Sequence, residues 1–151
     1  MNLTEAIESE FDRLLEIWEA AVRATHTFLT EGDINFYRPQ IREKYFYQVK
    51  MTVARDEKGR IMGFMGVTPP EAEMPARVEM LFVDPVFHGQ GAGRALIMQA
   101  AAEYGPLELE VNEQNPGAGK FYQNLGFKTI GRWELDGQGR PFPLLHLRRE
   151  G

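Results

Sequence analysis

From His88 to Arg94 the sequence reads His-Gly-Gln-Gly-Ala-Gly-Arg, with glycines at 89, 91 and 93. In a bend between an apolar strand and a helix, such a run leaves main-chain N–H groups standing outward without Cβ atoms to shield them, and the positive end of the helix dipole adds to their field. The chemistry on offer is the binding of a phosphate or pyrophosphate that asks for no particular side chain. The plainer reading of the same residues is a tight connection. A Walker loop is excluded, because it needs Gly-Lys followed by Ser or Thr and Gly93 is followed by Arg94 and Ala95. A dinucleotide fingerprint fits poorly, because its third glycine would fall where Arg94 or Leu96 stands.

Other chemistry is limited by what the chain carries. It has no cysteine, which removes disulfides, thiolate metal sites and a cysteine nucleophile. Its one serine, Ser9, lies in an acidic stretch without a glycine elbow, so a serine hydrolase has no nucleophile. His26, His88 and His146 are far apart and form no i, i+4 pair, which gives a histidine metal site no support. A formal charge of -5 argues against a nucleic-acid partner and suits a cationic one.

The elements that must position the glycine turn follow from periodicity. Phe11, Leu14, Leu15, Trp18 and Val22 share one face of a helix over 11–24. A second helical region over 33–48 contains Pro39, which predicts two short pieces. Strand chemistry then takes over in 49–55 and 61–68, joined by a turn at Asp56 to Gly59, and again in 77–83. A helix over 91–104 stops at Gly105 and Pro106, a strand covers 107–111, and Asn115 with Pro116 reads as an N-cap followed by proline at the first helical position. Two last strands, 127–135 and 142–148, flank a glycine-containing hairpin turn. This order predicts an α/β mixed sheet with helices on both faces, in a single domain over 1–151. The first ten residues hold no apolar run and no stretch of eighteen apolar residues occurs, so the expectation is a cytoplasmic protein without a membrane partner.

Leu81, Val83, Asp84, Pro85, Gly89, Gly91, Gly93, Arg94, Ala95 and Leu96 resemble the acetyl-CoA motif of the GNAT N-acetyltransferases. Val111, Asn115, Ala118, Phe121, Tyr122, Gly126 and Phe127 resemble the second motif of that family, at the right spacing and in the right order. The likeness extends to the bacterial YjaB-type branch through Ile17, Trp18, Ala24 to His26, Phe28, Leu29, Asn112 to Asn115 and Pro141 to Leu147. His88 departs from the family pattern, which has Arg or Gln there, so a side-chain contact from that position is not carried over, whereas a backbone contact survives the change.

The resemblance implies a GNAT fold, a mixed and mostly antiparallel sheet with a splayed strand pair, and an acyltransferase that uses acetyl-CoA as co-substrate and no metal. It implies cofactor contacts from Leu81, Phe82 and Val83, from His88, Gly89, Gln90, Gly91, Ala92, Gly93 and Arg94, and from Asn115, Phe121 and Tyr122. The acceptor is an amine: a lysine side chain, an N-terminus and a small amine all remain open. By the same resemblance Tyr122 is the acid beside the thioester sulfur, although Phe121 and Tyr122 read without it as core aromatics. Glu79, two residues before Leu81, is placed on the same face by strand alternation and is a candidate base, or else one half of a surface charge pair. His26 is the other candidate base, or a structural histidine. Without a cysteine, direct attack in a ternary complex is the economical route. A CoA-binding module without catalysis is the alternative class, and Tyr122 argues against it. Monomer and homodimer both remain open.

Overall fold

A computed structural model describes residues 1–151. Seven strands form one sheet: β1 (Asn2–Glu5), β2 (Lys50–Arg55), β3 (Ile61–Thr68), β4 (Ala76–Val83), β5 (Leu107–Asn112), β6 (Lys128–Trp133) and β7 (Leu144–Arg149). Their spatial order is β1-β2-β3-β4-β5-β7-β6, and every neighbouring pair is antiparallel except β4 and β5. Four helices, α1 (Phe11–Thr25), α2 (Glu31–Glu43), α3 (Ala92–Tyr104) and α4 (Pro116–Asn124), cover it. Alternation along the strands divides the core in two. Leu96, Ile97, Ala100, Leu109 and Tyr122 belong to a cluster under α3 and α4, and Leu14, Ile17, Trp18, Ile34 and Phe64 to one under α1 and α2. No helix is long and apolar enough to cross a membrane.

The mixed sheet and the order of its later elements agree with the sequence reading, and two differences stand out. The first is β1, which was not expected. Its four residues are too few to show a period, and it forms because Asn2 to Glu5 zip against Arg55 to Thr52, with Leu3 packed on the α3 cluster.

The second difference concerns α2, which runs straight through Pro39 rather than breaking there. A proline inside a helix costs about 3 kcal/mol, since it removes one N–H and crowds the preceding turn. Here a reciprocal cap starts the helix firmly: Asp33 N–H donates to Thr30 Oγ1 at 3.1 Å and Thr30 N–H donates to Asp33 Oδ2 at 2.9 Å. Ile34 and Ile41 are then buried on either side of the proline. The chain changes direction at Lys44 instead, and the short 3-10 turn Tyr45–Tyr47 seats Phe46 edge-on against Phe64, with ring centres 5.6 Å apart.

Candidate active site

Strands β4 and β5 pair only at Ala76 with Leu107, Arg77 with Glu108 and Val78 with Leu109. Both continue beyond that point, to Val83 and Asn112, so a gap opens between them. At the same level β4 carries a bulge against β3: Val78 faces Val67 and Met80 faces Gly66, which leaves Glu79 unmatched. The extra residue shifts the side-chain parity. Ala76 and Val78 before the bulge, and Leu81 and Val83 after it, pack toward α3, whereas Met80 and Phe82 pack toward α1.

The backbone follows the same logic. Asp84 N–H donates to Met62 O at 2.8 Å, continuing the β3 ladder past the end of β4. In an antiparallel pair the bonding residues alternate, so Phe82 and Met80 belong to that ladder, and the N–H and C=O groups of Leu81 and Val83 point into the gap.

The glycine turn hangs directly from this strand. Asp84 is buried, and its carboxylate accepts from Val86 N–H at 3.1 Å and from Arg13 of α1 at 2.8 Å, which anchors the 3-10 turn Pro85–Phe87. Gly89 and Gly91 take φ values of 78° and 86° with nothing near an added Cβ, so glycine is required there by conformation. Gly93 is favoured by contact, because a Cβ would stand 3.2 Å from Phe121 Cζ and the ring would have to give by a few tenths of an ångström. His88 and Gln90 spend their N–H groups on Pro85 O and Phe87 O, at 3.1 and 3.3 Å, and the first helical bond is Ala95 N–H to Gly91 O. The N–H groups of Gly89, Gly91, Ala92, Gly93 and Arg94 donate to no protein acceptor. Five donors at the positive end of α3 make a cradle for a diphosphate. The side chains of His88, Gln90 and Arg94 are all exposed around it.

Helix α4 lines the same side. Asn115 caps it, accepting from Ala118 N–H at 3.3 Å, and Pro116 opens it, as the sequence predicts. Phe121 and Phe127 enclose the Tyr122 ring at 5.1 and 5.3 Å in edge-on contacts. Its hydroxyl has no hydrogen-bond partner in the protein, and burial pushes the phenol pKa well above its ordinary value. Tyr122 is therefore a neutral donor at any physiological pH.

A cleft of about 190 Å³ lies on the opposite face of the sheet. Trp18 and Val22 of α1 and Tyr37 and Ile41 of α2 form one wall, Phe82 and Asn112 from the ends of β4 and β5 the floor, and Asp136, Phe142 and Leu144 the other wall. His26, just past α1, and Phe28 close one end, with ring centres 5.4 Å apart. Three of the lining residues carry ionisable side chains: His26, Tyr37 and Asp136. Tyr37 donates to Asp136, whose other oxygen accepts from Gln138 and Arg140 N–H at 2.9 Å, so the β6–β7 turn is clipped to α2. Arg140 pairs with buried Asp33 and lies 4.6 Å over the Phe36 ring, reinforcing the clip. Burial, then Asp136, push the Tyr37 pKa up, and burial pushes that of His26 down, which keeps its imidazole neutral near pH 7.

Two sequence expectations need correction. Strand alternation was to put Glu79 on the face of Leu81, but the bulge at Glu79 breaks the alternation. The Glu79 carboxylate instead accepts from Arg77 Nε at 3.1 Å, and the same guanidinium reaches Glu110 across the strands at 3.0 Å. Phe82, grouped with Leu81 and Val83, turns the other way: its backbone belongs to the β3 ladder and its side chain to the opposite cleft. Of the aromatics on this side, Phe28 and Tyr37 line the cleft and Phe36 lies beside it under Arg140. Asp136 escaped notice, since a lone Asp before Gly signals only a turn and its partner Tyr37 lies 99 residues away.

Comparison with known proteins agrees with this geometry. The model of the acetyltransferase (GNAT) domain matches residues 23–141. The peptidyl-lysine N-acetyltransferase YjaB of Salmonella typhimurium is 35% identical over 150 residues, covering 97% of this chain and 97% of the relative. The solution structure of apo YjaB from Escherichia coli is similar with a TM-score of 0.88 at 33% identity, over 99% of this chain and 97% of that one. The PaiA N-acetyltransferase of Thermoplasma acidophilum, crystallised with coenzyme A, shares the fold with a TM-score of 0.79 at 16% identity over 100% of both chains.

Proposed function

From the premise that this chain is an N-acetyltransferase of the GNAT family, we propose that it transfers the acetyl group of acetyl-CoA to the side-chain amine of a peptidyl lysine, by direct attack in a ternary complex. Residues 1–151 act in this reading as one catalytic domain. The observation that carries it is a coincidence of place. The gap between β4 and β5 opens with the five-donor turn on one side and the apolar cleft on the other, so a thioester in the gap is reached by an amine from the cleft. The acceptor's identity rests on the YjaB relative and on the shape of the cleft, whose apolar walls suit a lysine stem.

In this mechanism the turn holds the diphosphate through main-chain N–H groups, and Asn115 and Phe121 flank it. The outward N–H groups of Leu81 and Val83 pair with the pantetheine arm and polarise the acetyl carbonyl. A fixed donor aimed at the developing oxyanion contributes about 3 kcal/mol. The amine nitrogen attacks the carbonyl carbon, the C–S bond breaks, and the sulfur leaves with the electron pair. Tyr122 donates a hydrogen bond to that sulfur. Since a thiol ordinarily has a pKa of about 8.5 and burial raises the phenol far above that, the thiolate receives the second proton, the one the attacking nitrogen sheds on becoming an amide, through the Tyr122 hydroxyl in concert, and Tyr122 ends the step as a neutral phenol.

The acceptor arrives as an ammonium with a pKa of about 10.4 and must give up a proton. His26, neutral and in the cleft, collects it. Glu79 is the alternative base, and a weaker one, because its carboxylate already accepts from Arg77. A thiol-release assay with acetyl-CoA against lysine peptides, peptides with a free N-terminus only, and polyamines tests the proposal. Turnover with the lysine peptides is expected, and turnover with the other two classes alone would overturn the acceptor assignment.

A further inference from the structure

Thr25 ends α1, and its hydroxyl sits in a fork. Oγ1 lies 2.8 Å from the carbonyl oxygen of Ala21, one turn back, and 2.8 Å from Nδ1 of His26. A threonine hydroxyl carries one proton and a carbonyl oxygen carries none. Two oxygen lone pairs facing one another at that distance repel, so the proton lies between Oγ1 and Ala21 O. This is the i to i−4 back-bond of a helical threonine. Counting protons then leaves only one arrangement for the other contact: Nδ1 of His26 carries a hydrogen and donates it to Oγ1.

We propose that Thr25 is a positioning residue for the transfer reaction, holding His26 as the Nδ1–H tautomer so that Nε2 offers its lone pair to the acceptor's proton. This rests on His26 being the base. When Nε2 takes a proton from the acceptor ammonium, the ring becomes an imidazolium that still donates from Nδ1 to Thr25. The proton passes to solvent after the product leaves, and the threonine hydroxyl keeps its own proton throughout, donated to Ala21 O. Without Oγ1 the ring is free to adopt the Nε2–H tautomer, which points a hydrogen at the amine and cannot act as its base.

The surroundings leave the task to Thr25. Among the residues lining the cleft, α2 presents Tyr37 and the β6–β7 turn presents Asp136, and these two are bonded to each other. From α1 the lining residues are Trp18 and Val22, and from β4 and β5 they are Phe82 and Asn112, none of which titrates. The nearest aromatic neighbour of His26 is Phe28. Burial lowers the imidazole pKa and so keeps Nε2 unprotonated at neutral pH, which agrees with this role.

The test is nitrogen NMR of the full chain labelled with 15N-histidine, at a pH above the imidazole titration, with the His26 signals among the three histidines assigned by their loss in His26→Gln. The native protein is expected to show a protonated Nδ1 and a bare Nε2, Thr25→Val a shift toward the opposite tautomer, and Thr25→Ser the native pattern. In parallel, kcat should fall roughly a hundredfold in Thr25→Val with KM for acetyl-CoA unchanged, and recover in Thr25→Ser. A protonated Nε2 in the native protein, or an unchanged kcat in a Thr25→Val protein whose tautomer has switched, overturns the proposal. Full turnover in His26→Gln would instead remove His26 as the base, a separate failure that the nitrogen spectra do not share.

Discussion

Gly93 of α3 and Phe121 of α4 are in contact where the two helices meet over the end of β4. A Cβ on Gly93 would stand 3.2 Å from the Phe121 ring and 3.6 Å from Val83 Cγ2. Phe121 in turn lies edge-on to Tyr122. One methyl-sized gap therefore sets the glycine turn, the splayed strand and the phenol in register.

Gly93→Ala should loosen that register more than it loosens the fold. Alanine improves the helix by about 1 kcal/mol, and pushing the Phe121 ring aside costs about 1–3 kcal/mol, so the two effects nearly offset in stability. Melting should shift by only a few degrees. Calorimetric affinity for CoA should fall about tenfold, a change of ~1.4 kcal/mol, because the displaced Phe121 ring is one of the groups proposed to flank the cofactor.

Tyr122→Phe should separate chemistry from folding. The hydroxyl has no protein partner, so its removal leaves no buried group unpaired and stability should hold within about 0.5 kcal/mol. Affinity for acetyl-CoA should also hold. The loss should appear in kcat, by roughly a hundredfold, as expected when a hydrogen bond made only in the transition state is removed. Unchanged turnover would take Tyr122 out of the mechanism.

The pH profile distinguishes a neutral His26 base from a bare amine. Burial sets the imidazole below its ordinary value of about 6.5, so the ring is already bare through neutral pH while the acceptor remains an ammonium up to about 10. In the native enzyme kcat/KM for the amine should rise as pH climbs through the His26 titration and then stay level between pH 7 and 9. In His26→Gln the only reactive species is the free amine, and the same quantity should climb about tenfold per pH unit over that range. The same shift works against folding at low pH. A histidine whose folded pKa is depressed binds more protons in the unfolded chain, so its contribution to stability is full above the unfolded value of about 6.5 and declines as pH falls through it.

How much of this was legible beforehand depended on distance along the chain. The glycine turn, the Asn115 cap and the order of strand, turn and helix from 77 to 104 were readable, because each is decided by residues within one or two turns of one another. Pro39 misled, since the helix it ought to break is held by a cap nine residues earlier and by buried isoleucines. Glu79 misled for a related reason: a period of two predicts a face only in a strand without a bulge, and the bulge shows only in the pairing of β4 with β3. The clip between Tyr37 and Asp136, which shapes the acceptor side, joins two residues that only the finished sheet brings together.

The claim on which the rest depends is that the unpaired main-chain donors of the glycine turn receive the CoA diphosphate. Amide chemical shifts recorded while CoA is titrated into the protein test it residue by residue. Gly89, Gly91, Ala92, Gly93 and Arg94 should move strongly downfield, whereas His88 and Gln90, whose N–H groups are already bonded within the chain, should move little. Saturation with CoA that leaves those five amides in place would contradict the account.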